Sequence, residues 1–194
     1  MRLRGGTPSF QQLRKELTVS ATSPDNMVKS HLVAGEKLTI AFRPGAYRRY
    51  TEVALADQLA SLGRLTWVGY RRGYLEALSI SRGEPAVTST RPHWDARYRR
   101  YHEAIAASVA CGESASRAVR AKSKGMASWK VRIEPGTLAA MPEESFVAEA
   151  LSAFQRLQAD SKRKITLLKD AHFGLNIPDA IRSAMNLPKR PPAP

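Results

Sequence analysis

The sequence predicts an α+β protein made of two tandem units, each a three-stranded antiparallel meander followed by a long helix. Three observations predict it. Leu38-Thr39-Ile40-Ala41-Phe42-Arg43-Pro44-Gly45 and, ninety-one residues on, Trp129-Lys130-Val131-Arg132-Ile133-Glu134-Pro135-Gly136 share one pattern. Apolar residues alternate in both, the period of a half-buried strand, and Pro-Gly ends both. A helical pattern follows each copy at an offset of ninety-two: Leu55/Val147, Leu59/Leu151, Leu62/Phe154, Arg64/Arg156 and Leu65/Leu157. The change of offset implies one extra loop residue before the second helix.

The first unit spans 9–79. A short helix at Phe10–Lys15 leads into a strand at Leu17–Ala21, and Ser23-Pro24-Asp25-Asn26 supplies a dense turn signal. A second strand runs Met27–Val33, and Ala34-Gly35-Glu36 turns the chain into a third at Lys37–Arg43. Thr51 caps a helix reaching Ser79, with Leu55, Leu59, Leu62 and Leu65 as its apolar stripe. Gly63, Gly69 and Gly73 within it either permit close packing or mark breaks; each costs about 1 kcal/mol relative to Ala. Residues 80–93, with Pro85 and Pro92, read as a linker.

The second unit spans 94–172. It opens with a helix at Trp94–Ala106, followed by strands at Ala107–Cys111 and Ser116–Ala121. Gly112-Glu113-Ser114 and the basic Lys122-Ser123-Lys124-Gly125 read as turns, and a third strand runs Ala127–Glu134. Met141-Pro142-Glu143-Glu144 opens the closing helix, with Pro in the first turn and carboxylates at the positive end of the dipole. That helix reaches about Asp170. Residues 173–194 read as a short helix ending near Met185 and a Pro-rich tail.

Charge carries the functional argument. Thirty-one Lys and Arg against seventeen Asp and Glu give +14. Residues 1–90 hold thirteen basic and seven acidic side chains and residues 91–194 hold eighteen and ten, so both halves are basic. Neutralising a polyanion releases counterions and yields affinity without sequence readout. The clusters are Arg48-Arg49 after the first Pro-Gly and Arg71-Arg72 beside Tyr70 and Tyr74. Arg97, Arg99 and Arg100 interleave with Tyr98 and Tyr101. Lys122 and Lys124 flank the basic turn near Arg117 and Arg120, and Lys162-Arg163-Lys164 lies on the last long helix. Arg forks suit phosphate oxygens, and tyrosines either contact sugars or pack inward. No base-reading motif is present, so sequence specificity is expected to be weak.

Catalytic chemistry finds no constellation. His31, His93, His102 and His172 lack metal-ligand spacing, and Ser23 and Ser108 have no Ser/His/Asp partners. Cys111 is placed facing inward as a small buried hydrophobe, and Trp67, Trp129 and Trp94 as core or interface residues. No catalytic residue, cofactor or metal is expected. No apolar run has the length of a membrane span, and the first residues lack a signal peptide's apolar stretch. The expected setting is the cytoplasm.

The run ELTVSATSPDNMVKSHLVAGEKLTIAFRPGAYRRYTEVALADQL resembles the YbaB/EbfC family of small bacterial nucleoid-associated proteins. Val19, Asp25-Asn26, Val28, Gly35, Ile40 and Leu55-Ala56 stand at matching positions. The second unit is similar more loosely, through Val109, Val119, Gly125, Val131, Ile133 and Val147-Ala148. Family members usually begin with a long helix, which the first unit lacks. The Ala/Arg-rich style resembles actinobacterial proteins. The resemblance implies a non-enzymatic, largely sequence-independent DNA-binding protein of the nucleoid. Family members are homodimers, so the two units imply an intramolecular pseudo-dimer or a homodimer. Because similar modules accompany type VII secretion, the alternative is an adaptor or chaperone that binds an acidic protein partner.

Overall fold

A computed structural model of the chain describes residues 8–83 and 95–184. The first unit opens with helix α1 (Phe10–Glu16), capped by Ser9, whose side chain accepts from the Gln12 N–H. The meander follows as β1 (Thr18–Thr22), β2 (Val28–Val33) and β3 (Lys37–Phe42), paired antiparallel in the order β1-β2-β3. Beyond a single 3-10 turn at Tyr47–Arg49, helix α2 runs Glu52–Arg82. It starts at Thr51, whose hydroxyl accepts from the Ala54 N–H, and ends at Gly83 in the left-handed region (φ 67°). The helix thus runs three residues past the expected Ser79, into the 80–93 stretch read as a linker, of which 84–93 lie outside the described residues.

The second unit repeats this plan. Helix α3 (Ala96–Ala107) precedes β4 (Val109–Glu113), β5 (Val119–Lys124) and β6 (Ser128–Ile133), again paired in sequence order. A short helix α4 (Thr137–Ala140) leads to the long α5 (Glu143–Phe173) and then to α6 (Asp179–Ala184). An ion pair between Arg182 and Asp170 ties α6 to α5.

The two long helices have 31 residues each, begin after Thr51 and Pro142, and end at Gly83 and Gly174. The repeat therefore holds an offset of ninety-one from β1/β4 through both helix ends, with no extra loop residue before the second helix. The offset of ninety-two matched residue types on different faces of the two helices. Leu65 shows the error: it is 40% exposed, while Leu157, its supposed counterpart, is fully buried. At ninety-one the buried positions coincide as Leu55/Phe146, Leu59/Ala150, Leu62/Ala153 and Thr66/Leu157.

Strands β4 and β5 lie two to three residues later than the sequence suggested. Gly112 is inside β4, and Lys122-Ser123-Lys124 belongs to β5; the turn is Gly125–Ala127. One consequence is that Cys111 points outward and is exposed, with Ala110 and Gly112 facing in.

Both units feed one core. Val28, Ile40, Leu55, Leu59 and Leu62 pack in a single cluster with Val119, Ile133, Phe146, Phe154 and Leu157. Each long helix packs on two strands of its own sheet and reaches one strand of the other: α2 on β1, β2 and β6, and α5 on β4, β5 and β3. Loop contacts reinforce the pairing, with the Tyr47 hydroxyl donating to the Met141 carbonyl (2.9 Å) and the Leu138 N–H to Glu52 (3.3 Å). Each unit alone is small for a self-sufficient core, and the shared burial answers that shortage. No helix among the described residues is long and apolar enough to cross a membrane.

Candidate nucleic-acid interface

The feature that gathers cationic side chains most densely is the outer face of the second sheet. Along β5 burial alternates strictly, so Val119, Ala121 and Ser123 face the core while Arg120, Lys122 and Lys124 face solvent. The cross-strand register sets Lys122 opposite Lys130 and Arg120 opposite Arg132 on β6. On the other side, Cys111 faces Lys122 and Glu113 faces Arg120. Five cations thus share one face with the single strand carboxylate Glu113. A shallow depression on this face lies between Cys111, Glu113, Arg120, Lys122, Lys130 and Arg132.

Charge on this face is unevenly compensated. Arg120 meets Glu113 at 2.7 Å and Glu134 at 3.3 Å, and Arg132 meets Glu134 at 3.4 Å. The hydrogen bond that Arg120 donates to Glu113, reinforced by both carboxylates' charge, pushes its guanidinium up from the ordinary value. Lys122, Lys124 and Lys130 have no ion pair among the described residues. Residues two apart on a strand are about 6.7 Å apart, close to two base-pair rises of duplex. At this spacing Lys122 and Lys124 can meet alternate phosphates of one strand as point charges, with Lys130 beside them on β6.

The other predicted clusters are dispersed. Arg48 and Arg49 are exposed on the 3-10 turn, and Arg71 and Arg72 on α2. Arg97, Arg99 and Arg100 are exposed at the start of α3, where Arg100 donates back to the Ala96 carbonyl. Their tyrosines serve packing. Tyr74 meets Phe10 edge-on at 5.1 Å, Tyr70 lies beside Trp67, and buried Tyr101 meets Phe173 at 5.1 Å. Tyr98, half exposed, also lies on Phe173. Trp67 and Trp129 pack against the shared core as expected; Trp94 and His93 lie outside the described residues.

The Lys162-Arg163-Lys164 patch is not a free cationic patch. Only Lys162 projects without an ion pair among the described residues. Arg163 pairs with Asp160 at 3.0 Å and Lys164 with the same carboxylate at 2.7 Å. Lys164 also donates to the Val109 carbonyl (2.5 Å), the Cys111 N–H donates to Asp160 (3.0 Å), and Arg156 donates to the Glu113 carbonyl (2.8 Å). Arg156, Asp160 and Lys164, four residues apart on one helix face, each meet one outward backbone group of edge strand β4: the Glu113 carbonyl, the Cys111 N–H and the Val109 carbonyl. Burial works to raise the Asp160 pKa, but hydrogen bonds from Lys164, Cys111 and Arg163 outweigh it and hold the carboxyl below its ordinary range.

Lys130 and Arg132 were not among the sequence-derived candidates for this face, although the signal was present. The alternation that predicts β6 from Trp129, Val131 and Ile133 necessarily puts Lys130 and Arg132 on the opposite face. Among the described residues no group of His, Cys, Asp and Glu is arranged to hold a metal. Comparison with known proteins returns no matching family model, no matching curated protein and no matching solved structure.

Proposed function

We propose that this is a non-enzymatic protein that binds DNA with little sequence preference, and that the outer face of the second sheet is its main contact surface. The observation that carries the reading is the set Lys122, Lys124 and Lys130, exposed on one face without carboxylate partners. Arg120 and Arg132 extend it, their carboxylates exchangeable for phosphate. The exposed arginines at 48, 49, 71, 72, 97, 99 and 100 add long-range attraction rather than a second defined surface. The resemblance of 17–65 to the YbaB/EbfC family supports the same reading.

The test is a titration of a random-sequence duplex at several salt concentrations, comparing wild type with Lys122→Glu/Lys130→Glu. Wild-type affinity should fall linearly against salt in log–log form, and the variant's slope should be shallower by about 1.8, two phosphates at roughly 0.9 each. The matched control is Lys29→Glu/Lys37→Glu, the same charge change on the first sheet. Equal losses from both variants would mean that net charge, rather than this face, attracts DNA.

A further inference from the structure

The edge of the first sheet is built like the edge of the second but lacks what closes it. In β1, the bonds from the Ala34 N–H to the Leu17 carbonyl and from the Ser23 N–H to the Val28 carbonyl fix the ladder's phase. Odd-numbered residues turn their backbone groups toward β2, so the backbone groups of Thr18, Ser20 and Thr22 point away from the sheet. Their counterparts in β4 are Val109, Cys111 and Glu113, each of which has one outward group met, by Lys164, Asp160 and Arg156 respectively. At the offset of ninety-one those three helix residues correspond to Gly73, Gly69 and Leu65. Two glycines and a leucine offer no polar side chain, and no hydrogen bond meets these outward groups among the described residues.

The surroundings of this open edge define what fits it. Leu65 is 40% and Val68 50% exposed on the adjoining helix face. Arg72 corresponds to Arg163, but its counterion is gone, because Gly69 stands where Asp160 does. Thr18 and Ser20 are exposed. We infer that β1 is a strand-addition site that takes an extended acidic peptide from another protein, pairing with Thr18–Thr22 through its backbone. Its apolar side chains would rest on Leu65 and Val68 and a carboxylate would meet Arg72. Added strands gain affinity from main-chain bonds and specificity from alternate side chains. Nucleic acid suits the edge poorly, since the outward N–H and C=O groups of Thr18, Ser20 and Thr22 ask for donors and acceptors in turn, whereas phosphate oxygens only accept. A second copy of this chain would bring its own Arg72 to the same seam.

The experiment uses the full chain and two eight-residue peptides, one alternating Val with Asp and the other Val with Lys. Fluorescence anisotropy should show the Asp peptide binding at least tenfold more tightly, and hydrogen exchange should show protection of the Ser20 amide on binding. Ser20→Pro removes that donor on an edge where Pro is tolerated, and should lower peptide affinity at least tenfold while DNA affinity stays unchanged. If that variant unfolds, Val19→Ala/Gly69→Asp serves instead, rebuilding the Ala110 and Asp160 arrangement so that Asp accepts from the Ser20 N–H. Unchanged peptide binding in the folded variant, an unprotected Ser20 amide, protection of it by duplex DNA, or a dimeric mass lost in the same variant would each overturn the proposal.

Discussion

The two units have one backbone plan and opposite solutions to the contact between edge strand and long helix. In the second unit the strand is small and the helix is large. Ala110 and Gly112 let α5 come down on β4, and Arg156, Asp160 and Lys164 reach around the edge. In the first unit the strand is large and the helix is small. Val19 and Leu17 project toward Gly69 and Gly73, where an added methyl would sit 2.6 and 2.4 Å from their side chains. The glycines of α2 thus mark close packing, and the helix continues unbroken through them. What the exchange teaches is that equivalent burial does not conserve surface chemistry: one edge is closed by a polar ladder and the other is left open. The outer faces diverge in the same way. Where the second sheet carries Arg120, Lys122, Lys124, Lys130 and Arg132, the first carries Lys29, His31, Val33, Thr39 and Ala41.

The largest effect should come from removing the close approach in the second unit. A Cβ at Gly112 would lie 2.1 Å from the Ala153 carbonyl oxygen and 2.4 Å from the Leu157 N, both backbone atoms that no rotamer change can move. Gly112→Ala should therefore cost about 3 kcal/mol or more in urea unfolding, the upper range for overpacking. The first unit already has Ala21 at this position. A cost below about 1 kcal/mol would mean that α5 does not sit closer to β4 than α2 to β1, and the contrast would fail.

Next in size is the polar ladder. Asp160→Ala leaves the Cys111 N–H and the Lys164 ammonium without their carboxylate, which should cost about 1–3 kcal/mol. Because the folded Asp160 pKa lies below its ordinary value near 3.8, the unfolded chain takes up its proton first on acidification. The stabilisation is complete above that ordinary value and disappears as pH falls through the folded pKa. The difference between wild type and Asp160→Ala should consequently be full at neutral pH and shrink below about pH 3.8. A difference that stayed constant on acidification would show that the carboxylate's charge contributes nothing to closing the edge.

The degree to which the sequence disclosed all this follows from how each residue signals. Strands β3 and β6 were legible because large apolar residues mark their inward positions, and β2 because Val28 and Leu32 flank its one inward serine, Ser30. Strand β5 was not, because its inward residues include Ser123, buried without hydrophobicity between two lysines, so that Lys-Ser-Lys-Gly reads as a turn. Gly112 misled for a related reason: its role is proximity to a helix forty residues away, which no local pattern records. The Lys162-Arg163-Lys164 run looked like a cationic patch because the backbone carbonyl that Lys164 binds belongs to a strand edge visible only in three dimensions. The helix offset failed because leucines at 92-residue spacing outnumber those at 91, whereas caps and burial follow 91.

The smallest predicted effect tests whether the first turns of the two meanders are the same object. Ser23 and Ser114 occupy equivalent positions, and their hydroxyls accept from the Val28 and Val119 N–H at 2.9 and 3.1 Å. The third residue after each serine donates its N–H back to the serine carbonyl, and both stand in the left-handed region: Asn26 at φ 62° and Arg117 at φ 65°. Asn tolerates that region because its short polar side chain compensates locally, whereas a long side chain bears the steric cost. Arg117→Asn, which copies the first unit into the second, should stabilise the protein by about 1 kcal/mol in thermal or urea unfolding. The backbone of this turn is already set by the serine and by its neighbours, so the substitution changes local strain and one charge and little else. If Arg117→Asn destabilised the chain, Arg117 would have to contribute through its side chain more than its backbone loses, and the two turns would share a shape without sharing a cause.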